Sequence, residues 1–479
     1  MVQLGFDNTY ARALAGLYEP VQPAGFRAPE LLTFNSALFV ALGLPAVVEA
    51  RAAETFSGNL VPGDAQPLAM AYAGHQFGGF SPLLGDGRAL LLGEVVDPRG
   101  ERWDIHLKGS GRTVFSRGGD GLAPMGPVLR EYLVSEAMYH LGVPTTRVLA
   151  TVKTGETVYR DRPLPGAVLA RVARSHLRVG TFELCASRGD VDGLRRLVAY
   201  ALERHGPALA DGDNPAMALL DAVAERQSRL VAAWMSLGFV HGVMNTDNFT
   251  ISGETLDYGP CAFIDRYDPD AVFSSIDHGG RYAYSNQPGI AQWNLARFAE
   301  TLLALIDDDT DRAIERAQGA LERFAATYRE RRLARLRDKL GLTGEAQGDP
   351  SLTDDLLAYM RATRRDFTGT FRALAESLRA GTPAFDDADF RAWEARWKAR
   401  LGADDPRDAA ARMDRVNPLY IPRNHQVERV LAAAVEGDMA PFREMMAVLE
   451  HPFDAQEGAE AYAEPAPDDA GRYVTFCGT

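Results

Sequence analysis

The chain has 479 residues, 46% of them hydrophobic and 24% charged, which excludes disorder, coiled coil and fibre and leaves ample material for a core. Its length allows about two to four domains. A net charge of −14 repels polyanions at long range, so nucleic acid is a poor partner, although a few local cations can still hold a nucleotide.

Only four of the 51 basic residues are lysine (Lys108, Lys153, Lys339 and Lys398), so each lysine kept against an arginine background raises a chemical question. Three cysteines, Cys185, Cys261 and Cys477, are too few and too scattered for a disulfide framework or a zinc site, which fits a reducing cytoplasm. The first residues lack the charged-then-apolar pattern of a leader. The uncharged stretches 31–48 and 65–85 are broken by Pro, Gly and polar residues, so no membrane span is expected.

Taken in chain order, Leu31–Leu42 reads as a buried helix ended by Gly43 and Pro45. Ala89–Val96 reads as a buried strand and Asp97-Pro98-Arg99-Gly100 as a turn. Trp103–Lys108 returns as the second strand of a hairpin. Trp103, Ile105 and Leu107 share one face, and Asp104, His106 and Lys108 share the other. A Gly/Ser loop, Gly109–Gly121, precedes a helix at about Pro127–Leu141, with Leu129, Leu133, Ala137 and Leu141 at fourfold spacing. Two more strands are predicted at Arg147–Lys153 and Ala167–Ala173. From about residue 180 the pattern turns helical, over Val191–Arg204 and Ala216–Leu237. After a strand-and-loop section, Phe239–Ile264, helices are predicted over Gln292–Ile306, Arg312–Leu340, Thr353–Ala380, Ala388–Leu401 and Gln426–Val435. His451–Ala470 reads as a mobile tail. No repeat of fixed period appears. A strand-rich part followed by a helical part predicts an α+β fold, with a cleft between the two as the natural site.

The most informative stretch is Gly238–Ile251 followed by Leu256-Asp257-Tyr258-Gly259. Asn248 and Asp257 are hard oxygen ligands suited to Mg²⁺ or Mn²⁺ on phosphate oxygens. Asp247 beside them is a carboxylate suited to accept a proton from an attacking hydroxyl. Asn and Asp also do ordinary turn work, but this ordered set is harder to explain that way. Lys108 stands on the strand face away from Ile105 and Leu107, and the helix that follows offers Glu131 or Glu136 as its partner. Two glycine runs, Gly85-Asp86-Gly87-Arg88 and Gly118-Gly119-Asp120-Gly121, allow close backbone approach to a phosphate without matching the Walker or dinucleotide patterns. Arg171 and Arg178, in ARVARSHLRVGTFE, can bind phosphate oxygens in bidentate fashion.

The order of Lys108, Glu131, the loop ending in Asn248 and Asp257-Tyr258-Gly259 resembles a protein kinase, with one decisive departure. A kinase places its catalytic Asp third in the eight-residue run that ends in the metal-binding Asn, and here that place is Val243. The segments YAGHQFGGFSPLLGDGRALLLGE, DIHLKGSGRTVFSRGGDGLAPMGPVLREYLVSEAM, ARVARSHLRVGTFE, HGVMNTDNFTISGETLDYGPCAF and NPLYIPRNHQVERVL are similar to the selenoprotein O family. These are protein adenylyltransferases long taken for pseudokinases, and the terminal Cys477-Gly478-Thr479 falls where some members carry selenocysteine.

The resemblance implies a kinase-like two-lobe fold. Residues 1–70 would be an N-terminal extension packing on the lobes, 71–175 the N-lobe, 176–310 the C-lobe core, 311–450 a helical region and 451–479 a mobile tail. It also implies ATP turned end for end relative to kinases, so that AMP passes to a Ser, Thr or Tyr hydroxyl of a protein. Gly85, Gly87, Arg88, Lys108, Asp120, Gly121, Arg171, Arg178 and Asp257 would bind ATP, with Glu131 pairing Lys108. Asn248 and Asp257 would bind Mg²⁺ or Mn²⁺, and Asp247 would be the proton acceptor. The protein is expected to be a cytoplasmic monomer with no nucleic-acid or membrane partner. A γ-phosphoryl transferase and a silent ATP-binding scaffold are the competing readings; Val243 speaks against the first and the retained Asp247 against the second. The family's possible disulfide to the C-terminal Cys has no cysteine partner at Phe273, Ser274 or Ser275, which leaves Cys261 as the nearby candidate.

Overall fold

The predicted hairpin lies at the centre of one large antiparallel sheet in a mixed α/β computed structural model, which describes residues 2–467 and 473–475. The strands are β1 (Tyr18–Pro20), β2 (Glu30–Phe34), β3 (Leu68–Met70), β4 (Gly74–Gln76), β5 (Gly79–Ser81), β6 (Ala89–Val96), β7 (Arg102–Lys108), β8 (Ala123–Pro124), β9 (Arg147–Tyr159), β10 (Pro163–Ala173), β11 (Phe239–Val240) and β12 (Ala262–Phe263). The sheet runs β1-β3-β6-β7-β10-β9-β2, with β8 against β10, while β4–β5 and β11–β12 form separate pairs. In the hairpin Ala89 faces Lys108 and Val96 faces Arg102.

Period-two alternation decides what each face of the sheet meets. Ile105 and Leu107 on β7 pack with Leu92, Val152 and Val168 against Leu38, Phe39 and Phe56 from the N-terminal segment. The opposite face meets the helix Met125–His140 and the helical part of the chain. That face is polar on β7 yet buried: Asp104 and His106 are each 1% exposed. Asp104 accepts from the His176 backbone N–H (2.8 Å) and from Arg204 (2.8 Å), and Arg204 also reaches Glu94 (3.1 Å). These pairs fix the helix Val191–His205 to the sheet, since a buried charge is tolerated only when paired.

Several boundaries differ from the sequence reading. The helix predicted over Leu31–Leu42 is instead strand β2 followed by a helix at Ser36–Ala41. β9 recruits Leu31 and Thr33 as an edge partner, and the Asn35 side chain accepts from the Leu38 N–H (2.9 Å), so the helix starts only there. Thr353–Ala380 is two helices, Asp349–Thr363 and Phe367–Ala380. Arg364 takes a left-handed φ of 54° at the break, and Asp366 caps the second helix at the Gly369 N–H. Gln287–Ile306 begins five residues before the predicted start at Gln292, because Pro288 suits a first helical turn. The sequence reading missed the helices Val179–Ser187, Pro406–Asp414 and Ala440–Leu449, and the strand predictions at β9 and β10 were too short. Within the segment read as a tail, Ala459 and Tyr462 are buried. No helix among the described residues is long and apolar enough to cross a membrane.

One arginine joins three of these late segments. Arg423, 1% exposed, donates to Asp265 (2.6 Å), to both oxygens of Asp366 (2.6 and 2.9 Å) and to the Ala463 carbonyl (2.9 Å). Removing it leaves two half-buried carboxylates facing each other without a cation between them. We expect Arg423→Ala to cost roughly 3–5 kcal/mol. In guanidinium denaturation the midpoint should fall with little change of slope; a loss under about 1 kcal/mol would show that water replaces the guanidinium.

Candidate active site

Lys108 ends β7, and two residues further along the same face of the sheet β10 presents Arg171, paired in register with His106. Both cations converge on Glu131, which the helix Met125–His140 brings up from below. Lys108 Nζ donates to Glu131 Oε2 (2.8 Å) and Arg171 Nε donates to Oε1 (2.7 Å). Burial pushes the Glu131 carboxyl up, but Arg171 and Lys108 outweigh it and hold it below the usual carboxylate range. Of the two glutamates left open by the sequence, Glu136 is engaged elsewhere, with Arg147 (2.6 Å) and Asn35 (2.8 Å). Lys108 is therefore not the solvent-facing strand lysine that alternation alone would allow.

The opposite wall comes from the loop between β11 and β12. Gly238 ends the helix Pro215–Leu237 with a left-handed φ of 71°, and pairing of Phe239–Val240 with Ala262–Phe263 closes the loop at its base. Within it, buried His241 meets the Leu256 carbonyl (3.1 Å), and Asn248 Nδ2 donates to the Val243 carbonyl (3.1 Å). Val243 is itself buried. Asp257 holds φ at 70°, uncommon for a residue with a Cβ, and its Oδ1 accepts from Lys108 (3.2 Å) and from the Gly259 N–H (3.2 Å). Burial works against the Asp257 charge, but Lys108, Arg171 and Arg88 overcome it and hold the carboxyl far below its ordinary value.

Between these walls lies a cavity of about 310 Å³. Gly85, Gly87, Arg88, Lys108, Asp120, Gly121, Arg171, Arg178, Asp247, Asn248 and Asp257 all line it, and Glu131 sits behind Lys108 and Arg171. The residues expected from sequence to hold ATP and metal and to accept the proton thus reach one place, whereas Glu136 does not. The glycines are needed for close approach: a Cβ on Gly85 would stand 2.3 Å from the Phe115 ring, and one on Gly121 would stand 2.2 Å from the Gly111 backbone. Arg178 donates to the Asp247 carbonyl (2.7 Å) and lies over the Tyr72 ring at 4.5 Å. Asp120 is held at both oxygens by Arg160 (2.8 and 3.1 Å). Asp247 Oδ1 is buried without a partner among the described residues, and Oδ2 has only a long contact to the Gln76 amide (3.4 Å). Burial pushes the Asp247 carboxyl up to about 6 although Arg178 opposes it, which makes it a stronger base than an ordinary aspartate.

Asp247, Asn248 and Asp257 put three hard-oxygen side chains on one wall, one of them with an orphaned buried oxygen. No group of three or more His, Cys, Asp or Glu side chains forms a metal cage among the described residues. Mg²⁺ held against phosphates uses one or two carboxylates rather than such a cage, so this donor set fits it. Cys185 and Cys261 are buried free thiols, and burial pushes Cys261 up to about 11. Cys477 lies outside the described residues, whereas Thr475 pairs beside Ser274, where the sequence reading looked for a cysteine.

Three residues of the site were missed. Asp86, between the glycines singled out from its run, is 2% exposed and accepts from the Met70 N–H (3.1 Å), His106 (3.1 Å) and Arg178 (3.5 Å). An acid flanked by two glycines was the available signal. Gln76 sits in the glycine-rich GHQFGG run and could have been suspected; Arg160 carried no local signal.

The family model described as "Protein adenylyltransferase SelO" matches residues 1–450. The chain is 56% identical to a "Protein nucleotidyltransferase YdiU" of Cereibacter sphaeroides (strain KD131 / KCTC 12085), covering 99% of each chain. It is 54% identical to a protein of the same name from Rhizobium leguminosarum bv. trifolii (strain WSM2304), covering 99% of this chain and 97% of the relative.

The buried Asp86 gives the site a pH signature. Burial opposes its charge, but His106, Arg178 and the Met70 amide bring the carboxyl down to about 2 from 3.8. Burial also lowers His106, so at neutral pH it helps Asp86 through its hydrogen bond, and Arg178 is the permanent cation. A carboxyl depressed in the folded state contributes stability above its unfolded pKa, and that stability is lost as pH falls through the folded value. We expect up to about 2 kcal/mol to disappear between pH ~4 and ~2. Urea midpoints measured against pH should fall less steeply in that window for Asp86→Asn; parallel curves for the two proteins would remove Asp86 from the acid response.

Proposed function

The chain belongs to the SelO family of protein adenylyltransferases, and from that premise we propose how its own residues carry AMP from ATP to a protein hydroxyl. The observation that carries the reading is the meeting, across one cavity, of the Lys108–Glu131–Arg171 cluster with Asp247, Asn248 and Asp257. Transfer of AMP requires a hydroxyl oxygen to attack the α-phosphorus while pyrophosphate departs. Asp247 accepts the hydroxyl proton. Lys108, Arg88, Arg171 and Arg178 hold the triphosphate and offset the charge that grows on the leaving group. Gly85, Gly87 and Gly121 let backbone approach it, and Asp120 with Arg160 fixes the rim.

Asn248 and Asp257 would hold Mg²⁺ or Mn²⁺, which when bound supplies further charge neutralisation at the phosphates. The turned-round ATP is supported by Val243, a buried apolar side chain where a kinase holds its base beneath the γ-phosphate. The same reading treats 71–175 and 176–310 as the two lobes of a kinase-like fold, 1–70 as an extension on them, 311–450 as an added helical region and 451–479 as the tail. It takes the protein as a cytoplasmic monomer whose partners are ATP and protein substrates.

The orientation of ATP decides which phosphorus moves. Protein should acquire label from ATP marked at the α-phosphate and none from ATP marked at the γ-phosphate; label from the γ position would make this a kinase with a displaced base.

The two acids should separate in binding. Asp247→Ala should lose roughly 10²–10⁴-fold in kcat while keeping its affinity for ATP with metal. Asp257→Ala should lose both transfer and metal-dependent ATP affinity. Calorimetric ATP titrations alongside turnover distinguish the two, and a joint collapse of binding and rate in Asp247→Ala would make it a ligand instead.

A further inference from the structure

The hairpin β4–β5 has no part in holding ATP under the reading above, yet it is bound tightly to the loop that carries Asp247. The His75 N–H donates to Thr246 Oγ1 (2.7 Å), and Thr246 and the His75 ring share Glu183, each at 2.5 Å. The Phe77 N–H donates to Asn245 Oδ1 (3.1 Å), which also accepts from Tyr282 (2.6 Å). Gln76 reaches Asp247 itself. The turn is strained: Phe77 holds φ at 51°, which an aromatic residue rarely adopts, and such strain persists where the surroundings enforce it.

What the hairpin presents is unusual for a surface. Phe77, Phe80 and Leu83 are 37%, 45% and 45% exposed. Within the described residues β5 pairs only with β4, so its outer edge is open. Next to this tip the Arg281 guanidinium lies 4.7 Å from the Trp293 ring, which also meets the His75 ring at 5.3 Å. The Arg281 backbone N–H donates to Asp277 Oδ1 (2.9 Å), but its guanidinium makes no ion pair among the described residues and its Nε is buried without a hydrogen bond. On a chain of net charge −14, an unneutralised arginine beside exposed rings is a specific feature. Apolar side chains left in water at the rim of a site point to a partner that covers them.

We propose that this hairpin, with Arg281 and Trp293, is the docking site for the acceptor polypeptide, and that it selects a segment with a bulky apolar residue and a carboxylate close to the hydroxyl that receives AMP. The inference rests on the transfer reading above. An extended segment lying along β5 buries Phe80 and Leu83, places its acid on Arg281 and delivers its hydroxyl to Asp247, one hydrogen bond away through Gln76. Apolar burial supplies the affinity, and Arg281 supplies discrimination between acidic and basic neighbours.

The test uses the full chain, α-labelled ATP and two synthetic peptides that differ only beside the hydroxyl, one carrying Leu and Asp, the other Ser and Lys. Wild type should label the Leu/Asp peptide with the lower KM. Phe80→Ser with Leu83→Ser should raise that KM roughly tenfold, as loss of one interface contact does. Arg281→Gln should abolish the preference and Arg281→Lys should restore part of it. ATP affinity should stay as in wild type throughout. Equal KM values for the two peptides, or variants that leave KM unmoved, would overturn the docking site. So would a wild type that labels neither peptide. In that last case, label acquired by protein from ATP marked at the α-phosphate, in the experiment above, shows that the transfer reading still stands, and its absence shows that both fall.

Discussion

The carboxylate of Glu131 is the constraint on which the site depends. It is 4% exposed and shared by two cations that belong to different strands. Taking three charged groups out of water is costly, and the cost is met only when the geometry satisfies each of them at once. The helix Met125–His140, β7 and β10 are therefore held at one relative position. Because Lys108 also reaches Asp257, that position extends to the loop across the cavity. The cationic wall of the cavity is thus set by a buried acid that stands behind its lining.

The same logic runs through the rest of the sheet's inner face. The His106 and His176 rings stack at 4.3 Å, one joined to Asp86 and the other to Asp104. Burial depresses both imidazoles, His176 to about 3, so at neutral pH the pair stacks without charge repulsion. Asp104 then reaches Arg204, which carries the network to Glu94, its neighbour across on β6. A polar interior of this kind offers direction as well as cohesion, since each hydrogen bond fixes an angle that apolar packing leaves free.

Arg178 joins the two walls. Its guanidinium touches Asp86 on the side of the glycine run and the Asp247 carbonyl on the loop side, with the Tyr72 ring beneath it. Burial lowers its pKa less than the surrounding negative groups raise it, so it stays charged. The loop that carries Asp247 is consequently positioned by an arginine on one side and by the strained hairpin on the other. Asp247 itself keeps one buried oxygen free of any partner among the described residues.

Much of this was legible in the sequence. Period-two alternation gave the hairpin and put Lys108 on the face opposite Ile105 and Leu107, because a strand has no other way to place successive side chains. The run from His241 to Gly259 announced its acids by spacing alone, and the glycine runs announced close approach. Other features lay beyond any local pattern. Leu31 to Phe34 is as apolar as a helix start, and only the edge of β9 made it a strand. Glu131 and Glu136 are equivalent on the page; the partner of each was chosen by where Arg171 and Arg147 arrive from β10 and β9. Arg160 and Asp120 meet across 40 residues, and Arg178 and Asp86 across 92. Sequence determined which face each side chain occupies, because that follows from backbone periodicity. Tertiary structure decided which charges share a buried site, because that follows from the packing of elements distant along the chain, where desolvation leaves each charge only the partners that packing supplies.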